Sequence, residues 1–323
     1  VRLRRPAPSH PRRISAAVAA PFVVWALVRS LGVGVGYPFA GLIAFTPQVA
    51  ALSPSAVVVA VVLRARAVAV VAGLAVVALA LAVLPRSADG PQLASADDRG
   101  TPLVVMTANI LRGKADVAQI LRLVREHDVD VLSLQELTTE AVARLDAAGV
   151  RALLPGRVLE PRTGAAGTGL LSRHALTPVD TAAVGGHEQP EATMTLPGGG
   201  SIAIKAVHPI SPVSSERTTE WRAQLRSLGG PAAPDGTPRV LSGDFNATLD
   251  HHELRALIGR GFYDAADATG DGLKATWPVG SFARLITLDH VLAPPQVKVR
   301  RVSVVEIRGS DHKAVIAELL LTR

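Results

Sequence analysis

Cysteine is absent from the 323 residues, which excludes disulfides, thiolate catalysis and Cys-ligated zinc together. Aromatic residues make up only 3% of the chain, too few for a surface that stacks successive bases. Acidic residues are missing from the whole first quarter: residues 1 to 86 hold nine arginines, no lysine and no Asp or Glu, and the first acid is Asp89. The 25 basic and 27 acidic residues after position 86 leave that part at a formal charge of −2, although the whole chain is +7. The basicity therefore belongs to the N-terminal region and is weak evidence for nucleic-acid binding.

What that region has instead is apolar length. One stretch runs from Ile14 through "ISAAVAAPFVVWALV" toward Gly36, a second covers Tyr37 to Leu63 with no charge, and a third covers Ala67 to Leu84. A helix needs about 20 residues to cross the hydrocarbon core, so about three transmembrane helices are expected within residues 1–86. Pro47 and Pro54 interrupt the second stretch, which leaves residues 36 to 48 as a candidate interfacial or re-entrant piece. Arginines cluster at "VRLRRPAPSHPRR" and at "RAR", 64 to 66. Cytoplasmic loops are enriched in such residues, so three spans predict a multi-pass protein of the cell membrane with everything after Arg86 on the extracytoplasmic side. A cleaved signal peptide is the competing reading of the first stretch. Residues 87–100, polar and carrying Pro, Gly, Ser and Asp, read as a linker, and a globular domain is expected over 101–323.

In that domain "PLVVMTANI" and "VDVLSLQEL" are buried-strand patterns, "KADVAQILRLVREHDVD" and "TTEAVARLDAAGV" are helical ones, and the second helix is closed by Gly149. This alternation predicts an α/β domain. "EATMTLPGGGSIAIKAV" reads as a hairpin, "SERTTEWRAQLRSLGG" and "HHELRALIGRG" as helices, and "TPRVLSGDFNA", "FARLITLDHVLAP", "VKVRRVSVVEI" and "HKAVIAELLL" as strands. The Gly-rich "TGAAGTG" and "PGGGS" lack the lysine or the helix of a phosphate-binding loop and read as plain loops.

Several of these strands end in groups suited to metal or phosphate chemistry: Asn109, Gln135 with Glu136, His208, Asp244 with Asn246, Asp289, and Asp311 with His312. Strand ends of one sheet can converge in a cleft. Each also has a structural reading, since Asp and Asn favour turns, Asn109 can cap a strand end, and a lone histidine is often only hydrogen-bonded. Asn246-Ala-Thr248 fits a glycosylation sequon. His174, His187, His251, His252 and His290 read as solvated or packing residues, Gln135 as a supporting one, and Arg217 and Arg222 as a solvated helix face.

Taken together, "LQE", "GDFN" and "SDH", with "GLLSRHAL" and "ATWP", resemble the endonuclease/exonuclease/phosphatase superfamily over residues 101 to 321, and the anchored arrangement resembles a membrane-bound bacterial branch of it. The resemblance implies a four-layer α/β sandwich with two central mixed sheets, preceded here by transmembrane helices. It also implies a Mg²⁺-dependent phosphodiesterase or phosphatase site, with Mn²⁺ as a substitute. Asn109, Glu136 and Asp311 would hold the metal. Asp289 would orient His312, Asp244 and Asn246 would hold nucleophile and phosphate, and His208 would contact the phosphate or help the leaving group. The family often has an arginine two residues before this Asp, where Thr287 stands here. Magnesium favours carboxylate, amide and water oxygens, and an imidazole of near-neutral pKa can take or return a proton.

The expected partners are a phosphoester substrate, either nucleic acid or a phospholipid head group, and membrane lipid, with no obligate protein partner. A non-specific extracellular nuclease and a catalytically silent membrane scaffold or receptor are the alternatives. The number of metal ions and the identity of the general base stay open.

Overall fold

The computed structural model describes residues 10–32, 34–179, 186–197, 199–281 and 285–322; residues 1–9 of the N-terminal basic cluster lie outside them. The chain begins with helices α1 (His10–Leu31), α2 (Phe39–Leu42), α3 (Thr46–Leu52), α4 (Pro54–Val62) and α5 (Arg66–Val83). Two helices, His10–Leu31 and Arg66–Ser87, are long and apolar enough to cross a membrane, and Phe39–Leu52 with Pro54–Val62 makes a third if it is one span bent by 46°. The bend falls where Pro54 opens α4, because proline cannot donate to the preceding turn. Ala19, Ala56 and Ala72 pack together where α1, α4 and α5 meet, small side chains that let helix backbones approach closely.

The sandwich follows with β1 (Gly100–Asn109), α6 (Val117–Glu126), β2 (Val131–Gln135), α7 (Thr139–Ala147), α8 (Val150–Leu153), β3 (Gly156–Glu160), β4 (Thr168–Ser172), β5 (Leu176–Val179), β6 (Glu191–Thr195) and β7 (Ser201–Val207). It closes with α9 (Ser215–Ser227), β8 (Arg239–Asp244), α10 (His252–Ile258), β9 (Tyr263–Asp264), α11 (Ala265–Ala268), β10 (Asp289–Ala293), β11 (Val297–Glu306) and β12 (Lys313–Thr322). Two six-stranded sheets result, in the orders β11-β12-β1-β2-β4-β3 and β5-β6-β7-β8-β10-β9. Both are mixed: β1 runs parallel to β2 and β7 parallel to β8, and the other pairs are antiparallel. The sheets face each other across a core that includes Leu103, Val105, Val131, Ile204, Val240 and Val291. The outer face of the first packs on α6 and α7 through Met106, Leu132, Leu121 and Leu145, and that of the second on α9 and α10 through Leu241, Trp221 and Leu254. This is the four-layer sandwich.

Side chains alternate across a strand with period two, and this parity decides where the polar strand ends point. In β1 the odd positions Leu103 and Val105 face the opposite sheet, so Asn109 does too. The even positions Val240 of β8 and the odd position Val291 of β10 face inward, which carries Asp244 and Asp289 to the same gap. Between the apolar core and these ends lies a buried polar run: Thr107 donates to Gln135 Oε1 at 3.0 Å, Gln135 Nε2 to Ser133 Oγ at 3.0 Å, and Ser133 Oγ to the Ser242 carbonyl at 2.9 Å. Gly243 is needed for close approach, since a Cβ there would stand 1.9 Å from the Val207 carbonyl oxygen.

Two sequence expectations are refined. The strand expected over 282–294 is regular only at Asp289–Ala293; Leu288 N–H turns instead to Thr276 Oγ1 at 2.9 Å, and 282–284 lie outside the described residues. The segment expected as a linker is laid along the sandwich by bridges from Asp89 to Thr269 and from Leu93 to Val299.

Candidate active site

The eight residues singled out in the sequence fall at one end of the two sheets. Asn109 closes β1 and Glu136 follows β2, Asp244 closes β8 and Asp289 opens β10, and Asp311 and His312 precede β12. Asn109 Nδ2 donates to Glu136 Oε1 at 3.2 Å and to Asp244 Oδ2 at 3.1 Å, tying the first sheet to the second. Its Oδ1 accepts the Leu111 N–H at 3.0 Å, and Glu136 Oε2 accepts the Arg112 N–H at 2.9 Å. Glu136 and Asn246 both have left-handed backbones, φ 58° and 47°. Asp244 Oδ1 accepts the Asn246 N–H at 2.8 Å, and Asn246 Nδ2 donates to the Pro209 carbonyl at 3.0 Å. The turn that follows β8 is therefore built by the same side chains that face the cleft.

His312 Nδ1 lies 2.9 Å from Asp289 Oδ2. Asp289 is itself fixed by its own N–H to Thr276 Oγ1 at 3.1 Å. The Nε2 atoms of His312 and His208 stand 3.7 and 3.8 Å from Asp244 Oδ2, so two imidazoles converge on one carboxylate oxygen from beyond hydrogen-bond distance. Their surroundings drive them apart. Burial lowers both, and for His208 it prevails over the Asp244 charge, taking its pKa down to about 4. For His312 the Asp289 and Asp244 charges, with the Asp289 hydrogen bond, overcome burial and lift it to about 10. One histidine is neutral and the other cationic at neutral pH. Burial, with a smaller contribution from the Asp244 charge, raises Glu136 above the ordinary carboxylate range against the hydrogen bonds from Asn109 and Arg112.

Asp311 shares the cleft, where its Oδ2 accepts Trp277 Nε1–H at 3.1 Å. Its Oδ1 and Asp289 Oδ1 are buried without a hydrogen-bond partner among the described residues. Thr287 hydrogen-bonds the Lys274 carbonyl at 3.0 Å and supplies no cation.

A divalent metal fits this donor set. The oxygens are hard, two of them are buried orphans, and the Glu136 and Asp244 carboxylates are bridged by the neutral Asn109 amide. Asp244, Asp289 and His312 also offer ligand atoms within 4.8 Å of one another, a second candidate set at the same end of the sheets.

The sequence reading left three contributors out. His187 lines the cleft with its ring 5.1 Å from that of His208 and its Nδ1 3.0 Å from the His208 carbonyl. Thr276 fixes the backbone before His312's partner, and the quoted "ATWP" already contained it. Gly41, Ala44 and Phe45, from the helical region, line the same cleft of about 690 Å³. A larger cavity, about 800 Å³, is lined by Glu191, Lys205 and Arg239, the Glu191 carboxylate pairing with both cations, and it holds none of the eight residues.

The sequence profile of the Endonuclease/Exonuclease/phosphatase family matches residues 106–312. Among solved structures, an endonuclease/exonuclease/phosphatase from Beutenbergia cavernae is 21% identical, covering 69% of this chain and 72% of its own, with a TM-score of 0.57. An AP endonuclease from Archaeoglobus fulgidus is 15% identical over 67% of this chain and 98% of its own, TM-score 0.54. A humanized TDP2 from D. rerio is 18% identical over 68% and 98%, TM-score 0.52. A search of curated protein sequences finds no match. Profile, sandwich and cleft agree: the chain belongs to the Endonuclease/Exonuclease/phosphatase family, and with it to the metal-dependent hydrolases of phosphoester bonds.

Proposed function

We propose that this protein is a membrane-anchored phosphoesterase that uses Mg²⁺, with Mn²⁺ as a substitute, to direct water at a phosphodiester or phosphomonoester. The observation that carries this reading is the Asp289–His312 pair aimed at Asp244. Glu136, Asn109 and Asp311 are the residues to hold the metal, which when bound would act as a Lewis acid on a phosphoryl oxygen. Phosphoryl transfer is mainly positioning and charge neutralisation, and the protein's own groups are arranged for both. Cationic His312, kept in place by Asp289, hydrogen-bonds a phosphate oxygen. Asp244, whose Oδ2 faces both imidazoles, orients the attacking water and takes its proton. Asn246 positions the turn beside the phosphate. Neutral His208 contacts the phosphate or assists the leaving oxygen.

Three apolar spans with both arginine clusters on one side favour an extracytoplasmic site. Relatives bound to DNA, a D. rerio TDP2 with a single-strand DNA product and a Neisseria 3' phosphatase with a product DNA hairpin, make nucleic acid the second reading of the substrate. The test is turnover of bis(4-nitrophenyl) phosphate by the purified full chain. Activity should require Mg²⁺, vanish with chelator, and fall by about 10²- to 10⁴-fold in His312→Ala; metal-independent turnover, or an undiminished variant, defeats the reading.

A further inference from the structure

The segment between α1 and α3 does more than turn the chain around. It folds onto the sandwich at the mouth of the cleft. His251 Nε2 donates to the Ala40 carbonyl at 2.7 Å, Arg222 reaches the Val35 carbonyl, and Gln48 Nε2 donates to the Leu285 carbonyl at 2.7 Å. Ala44 is buried with Ile286 and Leu288, and Phe45 and Trp277 pack against them. One wall of the cleft is therefore Gly41, Ala44 and Phe45, while Glu136, Asp244 and His312 line the same space. On the same stretch Tyr37, Phe39 and Leu42 are exposed, and outward-facing apolar residues continue along the neighbouring helices, Leu31 and Leu52 among them. An exposed apolar strip thus runs from the helices that can cross a membrane to the rim of the cleft. The arginines lining the cleft are Arg112 and Arg217, both exposed, and they stand beside the His312 imidazolium. So few cations suit a single phosphate, whereas a nucleic-acid groove tracks many phosphates and stacks bases on aromatics.

We propose that residues 37–45 form a lipid-side subsite, and that the substrate is a membrane lipid whose phosphoester head enters between Phe45 and His312 while its apolar part remains beside Tyr37, Phe39 and Leu42. This rests on the phosphoesterase reading and names its substrate class. The reaction is a hydrolysis: the oxygen of water bonds to phosphorus, one ester P–O bond breaks, and the departing oxygen takes a proton, so no other reactant is needed. The residues of this subsite lie before residue 106, outside the stretch that matches the family.

The test uses the full chain in nanodiscs of phosphatidylcholine, phosphatidylglycerol, sphingomyelin and phosphatidate, with Mg²⁺, beside bis(4-nitrophenyl) phosphate and a short single-stranded DNA. Gly41→Trp fills the wall, because nothing lies within 4 Å of a Cβ at Gly41; Phe45→Ala removes part of it. Lipid hydrolysis should occur, and the ratio of lipid to soluble-ester kcat/KM should fall at least about tenfold in Gly41→Trp and by a smaller factor in Phe45→Ala. Turnover of the soluble ester certifies that each variant has an assembled site. An unchanged ratio in both variants, or hydrolysis of DNA with no lipid hydrolysed, overturns the subsite and leaves the hydrolase reading standing. No Mg²⁺-dependent turnover of any ester defeats both together.

Discussion

The helical region and the sandwich are made from the same apolar residue types and place them oppositely. In the sandwich the branched side chains are buried, with Val105, Val131, Ile204 and Val240 at 0% exposure. In the helices alanines fill the contacts, while Val62, Leu74 and Leu81 stand outward, Val62 and Leu81 at 72% exposure. The difference matches helices long and apolar enough to cross a membrane: a lipid-facing surface would gain nothing from hiding its leucines, and helices in lipid associate through small residues. Where the two regions meet, apolar and polar contacts sit side by side. Ala44 is buried with Ile286 and Leu288, and beside it runs a buried polar seam, with Asp250 accepting from Arg29 Nε at 2.7 Å and from Arg86 at 2.8 and 2.6 Å. Arg255 donates to the Arg29 carbonyl at 2.8 Å.

Removing Asp250 is the strongest way to separate the regions. Asp250→Ala leaves two arginines buried against each other, and breaking a buried pair costs about 3–5 kcal/mol. Thermal unfolding in nanodiscs should show a clear drop. An unchanged Tm would mean the helices and the sandwich are independent bodies.

Acid should loosen the same seam by less. His251 accepts the Thr248 N–H at Nδ1, 2.9 Å, and donates from Nε2 to Ala40, so the folded seam needs the neutral ring. Burial holds its pKa below the ordinary 6.5 despite the Ala40 hydrogen bond and the nearby Glu253 and Asp250 charges. The unfolded chain then binds the extra proton between that lowered pKa and 6.5, so stability is full above 6.5 and declines as pH falls through the window. Unfolding measured across this range should slope more in the native chain than in His251→Gln; equal slopes would discount the ring.

The smallest effect belongs to the same chemistry placed in water. Arg122 and Glu126, one helical turn apart at 3.6 Å, are 58% and 55% exposed. Arg122→Ala should change stability by less than about 0.5 kcal/mol. A loss comparable to that of Asp250→Ala would remove burial as the reason for the contrast.

The sandwich was largely legible because strand periodicity is local: "VLSLQE" and "VLSGDFN" show both the buried strand and the polar group that ends it. That Asn109 would tie Glu136 to Asp244 was not legible, since it depends on the facing of two sheets whose members are 135 positions apart in the chain. Asp311 was recognised by its place beside His312, but not its bond to Trp277. Asp250 carries no mark in the sequence that sets it apart, and His251 reads there as a solvated or packing histidine. Their partners, Arg29 and Ala40, lie more than 200 residues upstream, in a stretch whose hydrophobicity speaks only of membrane. The same hydrophobicity hid Phe45's place in the cleft.

The left-handed backbones of Glu136 and Asn246 carry a consequence for any search for hardier forms of this protein. Such conformations cost side-chain-bearing residues of order 1–3 kcal/mol and cluster where strain serves a mechanism, and glycine adopts them freely. A screen that rewards heat tolerance alone would drift toward glycine at both positions and harvest a sturdier, inert sandwich. Only a screen that also demands turnover would keep a carboxylate and an amide there.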